Sequence, residues 1–234
     1  MNKTKKIIGF IGWLIFTLLI AGVAVYLILI ANGYKINYQY LSFQKTGMIY
    51  LESNPADVQI YINDKFEGIG TPFKLSNLNT GKYFVKISKN GYNEWTKTLD
   101  VESGKTEAQE DIELFINNPA QLDVSEDEKI SFNDLVNQWP AKGLEIKNQS
   151  EVWFNDVYIT RFSGLIQQVG WYPNLKHILV QIDNKIIIMD PDGSNITKIV
   201  DLDSSNKCQF VIINSNRELL YLDGYNLKKV RIKE

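Results

Sequence analysis

"FEGIGTPFKLSNLNTGKYFVKISKNGY", residues 66–92, carries four of the chain's fifteen glycines and opens on a Gly-x-Gly. It reads either as a loop that cradles a phosphate or as the turns of a small β-module. A dinucleotide-binding loop needs its glycines between a strand and a helix, so that the helix N-terminus faces the phosphate. Here Thr71-Pro72 follows Gly70 at once and short strand patterns follow that, so Gly70 opens no helix. A P-loop would also require Gly-Lys-Ser/Thr, which does not occur. The glycines are therefore expected to bend the chain and to bind no nucleotide.

The flanks agree with that reading. "GMIYLES" and "DVQIYIN" upstream are short, apolar and β-branched, and Val58, Ile60 and Ile62 share one face by period-two alternation. Asn63-Asp64 suits a tight hairpin, because Asn and Asp tolerate positive φ better than other non-glycine residues. "KYFVKIS" alternates again, with Tyr83, Val85 and Ile87 on one side. "EWTKTLDVESG" and "TEAQEDIEL" add two strands split at Ser103-Gly104. No helical period appears between residues 47 and 114.

Ser53 and Pro55, the alternating Val58-Ile60-Ile62, the Asn63-Asp64 turn, Gly68 before Thr71-Pro72, Leu75 and Leu78, Gly81 before a strand, and Gly91-Tyr92 together resemble the PEGA domain. The resemblance implies a small β-sandwich-like module of bacterial and archaeal surface proteins, generally non-catalytic and used for interaction or spacing. It gives Pro55, Gly68, Thr71, Pro72, Gly81, Gly91 and Tyr92 structural roles. The signature tetrapeptide itself departs, reading Pro55-Ala56-Asp57-Val58, which puts the local turn in question.

The N-terminus bounds the compartment. Residues 7–30, "IIGFIGWLIFTLLIAGVAVYLILI", carry no charge, and sixteen of the 24 are Leu, Ile, Val or Phe. As a helix they reach about 36 Å against a hydrocarbon core of about 30 Å, with an insertion term on the order of −5 to −10 kcal/mol. A cleaved signal would end its apolar run at a small-residue site, whereas Gly22 and Ala24 lie inside this run, so an uncleaved anchor is expected. Lys3, Lys5 and Lys6 precede the span and only Lys35 follows closely. The positive-inside rule then leaves residues 1–6 in the cytoplasm and the bulk of the chain outside. That bulk holds 22 basic and 27 acidic residues, a net charge of −5 that gives no reason to expect nucleic acid. Residues 31–46, with Tyr34, Tyr38, Tyr40 and Phe43, read as a juxtamembrane stalk, either partly at the lipid interface or as an extended connector.

Beyond residue 114 the acidic run at 126–128 suggests a linker over 115–142 with a short helix. Ser131 and Asp134 could cap it, Phe132, Leu135, Val136 and Trp139 would form its apolar face, and Pro140 would end it. From residue 143 to 234 ten short strand patterns return, jointed by Asn-Asp, Asp-Asn, Asp-Gly-Ser-Asn and Asp-Gly. Residues 169–200 resemble one blade of a TolB-like or WD-repeat-like propeller, and 208–232 a degenerate second copy. At about 40–45 residues per blade and at least four blades per ring, no ring closes in this space. The open edges predict either a compact layered sheet packed on the PEGA-like module or self-association that covers them.

Constellations for catalysis are scarce. His177 sits at a strand start without a nucleophile or ligand spacing and is expected on the surface. Cys208 is expected to be buried and inert. Asp190, Asp192 and Asp201 fall at calcium-loop positions, but Gly193 stands at position 4 where the loop needs glycine at 6. Trp95, Trp139, Trp153 and Trp171 could form a glycan platform, although each sits in an apolar alternation that would bury it. The expected fold is mainly β behind one transmembrane helix. The expected function is a bilayer-anchored envelope protein, without cofactor, that binds a surface protein or cell-wall polymer or acts as a spacer. The alternative is an envelope enzyme acting on glycan or peptide.

Overall fold

The computed structural model describes residues 3–37, 42–138 and 141–234. The elements in chain order are α1 (Lys3–Ala31), β1 (Tyr34–Asn37), β2 (Ser42–Lys45), β3 (Gly47–Asn54), β4 (Gln59–Ile62), β5 (Lys65–Ile69), β6 (Phe73–Leu78), β7 (Gly81–Ser88), β8 (Trp95–Val101) and β9 (Thr106–Glu113). They continue as β10 (Gln121–Leu122), α2 (Glu126–Asn137), β11 (Leu144–Lys147), β12 (Glu151–Phe154), β13 (Val157–Arg161), β14 (Ile166–Trp171), β15 (Ile178–Ile182), β16 (Lys185–Met189), β17 (Thr197–Asp201), β18 (Phe210–Ile213), β19 (Glu218–Asp223) and β20 (Asn226–Arg231). The fold is mainly β, built from antiparallel strand pairs, and no sheet closes on itself among the described residues. The chain divides into two compact units, Met1–Leu51 with Pro72–Tyr83 and Thr98–Gln109, and Glu52–Thr71 with Phe84–Lys97 and Glu110–Glu234.

In the first unit, Gly9–Ala31 of α1 is long and apolar enough to cross a bilayer and buries none of its side chains against protein. A helix apolar on all sides is stable only where apolar surroundings cover it. The segment read as a stalk is a β-hairpin, β1 on β2, in register from Tyr34↔Lys45 to Asn37↔Ser42. Thr46 closes it, its backbone N–H and its hydroxyl both donating to the Gly33 carbonyl at 2.8 and 2.7 Å. Tyr38 and Tyr40 lie outside the described residues. The base of the hairpin is tied to the β8–β9 turn: Ser103 Oγ donates to Lys45 O and Gly104 N to Thr46 O. Gly47 is required at the start of β3, because a Cβ there would lie 2.5 Å from both Glu102 O and Val101 Cγ1. The sheet β6-β3-β9 belongs mainly to this unit, and Ile49 and Leu51 are its fully buried positions on β3.

The sheet β5-β4-β7-β8 belongs mainly to the second unit. Ile60, Ile62, Val85 and Ile87 are buried as their alternation dictates. Asn63 and Asp64 turn β4 into β5 at φ 50° and 64°, the positive-φ pair expected of this hairpin. The divergent Pro55-Ala56-Asp57-Val58 bend is held by side chains. Ser53 Oγ donates to Pro55 O at 2.8 Å and lies 3.0 Å from Thr71 Oγ1, while Thr71 N donates to Ala56 O and Gly70 N to Val58 O. Thr71 thus staples the bend, and Pro72, which needs no amide donor, begins the crossing from β5 to β6 in the other sheet.

The rest of the second unit is a stack. Ile178, Val180 and Ile182 of β15 face the core shared with Leu144 and Val152, whereas Leu179, Ile186 and Ile188 face the core shared with Phe210, Leu219 and Tyr221. The sheet β14-β15-β16-β17 is therefore buried on both faces, which explains the unbroken "ILVQI" and "KIIIM" runs. Val211 and Leu220 on the far face of β18-β19-β20 pack on Phe132 of α2. The segment 115–142 supplies β10, which pairs with β20, as well as α2. This helix starts earlier than expected. Ser125, not Ser131, is its N-cap, in a capping box where Glu128 N donates to Ser125 Oγ and Ser125 N to Glu128 Oε2. Ser131 instead bonds back to Asp127 O within the helix. Trp139 and Pro140 lie outside the described residues. Residues 166–201 do form a four-stranded meander, but the sheets are open and stacked, and the propeller resemblance goes no further.

Candidate functional site

Two places in the second unit gather polar side chains with chemical potential. The first is a buried node on β15–β17. Asp190 Oδ2 accepts from Trp95 Nε1 at 3.1 Å and from Asn195 Nδ2 at 2.9 Å, and Asn195 Oδ1 accepts from Thr96 N at 2.8 Å. His177 lies here, only 2% exposed, which corrects its expected surface position. Its ring stands edge-on to Phe115 and Tyr172 at 5.4 and 5.9 Å, so one aromatic neighbour, Phe115, comes from a sequence-distant segment and the other from the turn just before β15. His177 Nε2 is 3.5 Å from Asp190 Oδ1, and Nδ1 has no hydrogen-bond partner among the described residues.

Burial pushes the His177 pKa down to about 4, so the imidazole is neutral at pH 7 and its contact with Asp190 is not an ion pair. Burial likewise raises the Asp190 carboxyl. The space beside them, about 10 Å³, is at the lower limit for one water. The nearby hydroxyls are engaged elsewhere, Ser194 Oγ with Asp192 and Thr197 Oγ1 with the Asn195 carbonyl. The node can order β8 against the β16–β17 turn, with Lys97–Asp192 at 2.7 Å as its outer pair.

The calcium triad does not converge. Asp190 is committed to Trp95 and Asn195, Asp192 to Lys97 and Ser194, and Asp201 to Lys198 at 2.6 Å. Among the described residues no three His, Cys, Asp or Glu side chains are grouped as a metal site. Cys208 is buried as expected, and burial pushes its thiol up to about 12, which leaves it unreactive. Trp95 and Trp171 are core residues, but Trp153 is only half-buried.

The second place is the face of β5-β4-β7-β8 opposite Ile60, Ile62, Val85 and Ile87. The register sets Tyr61 beside Phe66 on β5 and beside Lys86 on β7. The two rings meet edge to face at 5.6 Å, and Lys86 Nζ lies 4.8 Å from the Tyr61 ring centroid. Phe66 is 50% exposed. Tyr61 OH donates to Gln59 Oε1 at 3.0 Å, and Gln59 pairs across with Ser88. Both line an open groove of about 660 Å³ that also includes Asp57, Ile69, Lys89 and Asn90, then Tyr92 and Asn117. Lys89 bonds Asp57 at 2.7 Å and covers the Tyr92 ring.

Two predicted structural residues, Gly91 and Tyr92, line this groove. Gly91, at φ 83°, turns the chain so that Tyr92 bridges Ile116 and Asn117 N donates to Gly91 O. Gly68 pairs with Ile60 next to the β4–β5 bulge, and Gly81 opens β7. Residues 46–114 match the PEGA domain. The PEGA match covers under a third of the chain, and no curated protein matches it. The PEGA segment thus contains most of the groove, while Asn117 comes from just beyond it. Sequence reading weighed tryptophans as a platform and passed over Tyr61 and Phe66. The signal was an aromatic on each side of an Asn-Asp turn.

Proposed function

We propose that this chain is a single-pass envelope protein whose N-terminal helix holds a non-catalytic β-ectodomain outside the membrane, where it binds a surface protein or cell-wall polymer, or spaces one from the bilayer. The observation that carries this reading is α1: 23 residues, Gly9–Ala31, apolar on every side and covered by no protein. The PEGA match supports an extracellular surface module. The lysines before the span support a cytoplasmic N-terminus. The non-catalytic part rests on His177 and Cys208, which are both buried, the one neutral and the other protonated at pH 7.

Protease shaving of intact cells, followed by detection of an epitope at the C-terminus, tests the topology. The ectodomain should be degraded without lysis, and the chain should stay with membranes through alkaline carbonate washing. Protection until lysis refutes the orientation. A soluble product whose N-terminus begins near residue 25 replaces the anchor with a cleaved signal.

A further inference from the structure

The groove beside Tyr61 allows the ligand class to be named, an inference that rests on the envelope reading only for its compartment. The geometry points to a glycan-binding cleft on β5-β4-β7, running from Phe66 and Tyr61 past Gln59 and Ser88 to Asn90 and Asn117, that takes a neutral, hydroxyl-rich polysaccharide chain. Its aromatic end offers ring surface to the C–H faces of a sugar, with Phe66 half-exposed and fixed by its edge contact with Tyr61. Its polar end offers the amides of Gln59, Asn90 and Asn117 and the Ser88 hydroxyl, groups that both donate and accept, as sugar hydroxyls do.

Charge selects the class. Each lysine along the cleft faces its own acid: Lys89–Asp57 at 2.7 Å, Lys65–Glu67 at 2.7 Å and Lys86–Glu94 at 3.6 Å. Such self-neutralised pairs leave little field for an anionic polymer. The volume of about 660 Å³ lies within the ordinary range of ligand sites, and the groove is open to solvent. A protein partner needs a desolvated apolar centre within about 800 Å² per side. Among the described residues that line this groove only Ile69 is large, apolar and at least half exposed, with Phe66 beside it on β5.

The hairpin at Asn155-Asp156 supplies an internal control. Trp153 and Tyr158 flank that turn as Tyr61 and Phe66 flank theirs, also edge to face at 5.6 Å, with Lys147 4.5 Å from the Trp153 ring centroid. There, however, the group bonded beside the rings is the Glu151 carboxylate, which accepts from the indole N–H and has no donor to offer a sugar, where Tyr61 has the neutral amide of Gln59.

Isothermal titration of the full-length protein in detergent with cellohexaose, N-acetylchitohexaose and a sulfated heparin hexasaccharide tests the assignment. At least one neutral hexasaccharide should bind saturably, and heparin should not. Phe66→Ala and Gln59→Ala should each weaken binding about tenfold or more, while Tyr158→Ala leaves it unchanged. Gln59→Ala keeps both rings and decides the matter should Phe66→Ala alter the fold by circular dichroism. No binding to either neutral sugar, equal binding to heparin, or equal loss with Tyr158→Ala overturns the cleft. Capture of a deglycosylated envelope protein through Gln59 and Phe66, with neither neutral sugar competing, overturns it in favour of a protein ligand. Because this assay uses purified protein, its failure leaves the topology result untouched, and a failed topology leaves it readable.

Discussion

Acidification should charge the chain's one histidine only near pH 4. His177 is 2% exposed, so water offers its imidazolium almost no solvation, and burial is the main reason its pKa falls to about 4 from an ordinary 6.5. Glu113 and Asp111 pull the value up and Lys233 pushes it down, while Asp190 faces Nε2 at 3.5 Å. The gap of about 2.5 pH units corresponds to about 3 kcal/mol. The unfolded chain binds this proton below pH 6.5 and the folded chain does not until about 4. Stability is therefore fully present above 6.5, declines as pH falls through the window at up to about 1.4 kcal/mol per pH unit, and levels off below 4. Asp190, whose carboxyl is raised by burial, acts in the opposite sense at the lower end, since the folded state takes up its proton first. Comparing wild type with His177→Gln in urea denaturation at several pH values cancels that contribution to first order. A single imidazole resonance, available because the chain has one histidine, gives the pKa directly. A midpoint at or above 6.5, or identical pH slopes for the two proteins, would refute the buried node.

Three further outcomes follow from local geometry. Ser125→Ala removes the acceptor for Glu128 N and should cost about 1 kcal/mol in urea denaturation, with Ser125→Asp restoring it. Gln181→Leu strands Cys208 N and Asn206 O, which the buried amide serves at 2.8 and 2.7 Å, and should cost about 3 kcal/mol despite adding apolar surface. Gly47→Val forces a side chain against Glu102 O and Val101 Cγ1, and loss of about 2 kcal/mol or more should appear as faster proteolysis around residues 42–47, where no change would contradict the close approach.

Strands were legible because their causes are local. All ten patterns after residue 143 became strands, and Asn63-Asp64, Asn155-Asp156 and Gly224 take the positive φ that their residue types favour. Helix α2 was legible as a helix but not in its start, since Ser131 and Asp134 suit a cap as well as Ser125 and Glu128 do. What separates them is Lys229 Nζ, 2.8 Å from Glu128 Oε1, a partner 101 residues away. The stack was legible only as an expectation, because the run "KIIIM" says that both faces are covered without saying by what.

The site was less legible because it is made by register across strands. Tyr61 and Phe66 are five residues apart and their meeting could be read from the Asn-Asp turn alone. Lys86 and Ser88 join them only because β4 pairs with β7, a contact that a one-residue slip would replace with buried Val85 and Ile87. The same dependence misplaced His177: its own neighbours, Lys176 and Ile178, look like a strand entering from solvent, while Phe115, Trp95 and Met189 come to it from other strands and segments. A chain whose turns are written locally but whose polar node and groove are written by pairing reveals its scaffold early and its chemistry late. Of the glycines in the opening stretch, only Gly91 ends at the groove, while Gly68 pairs with Ile60 inside the sheet.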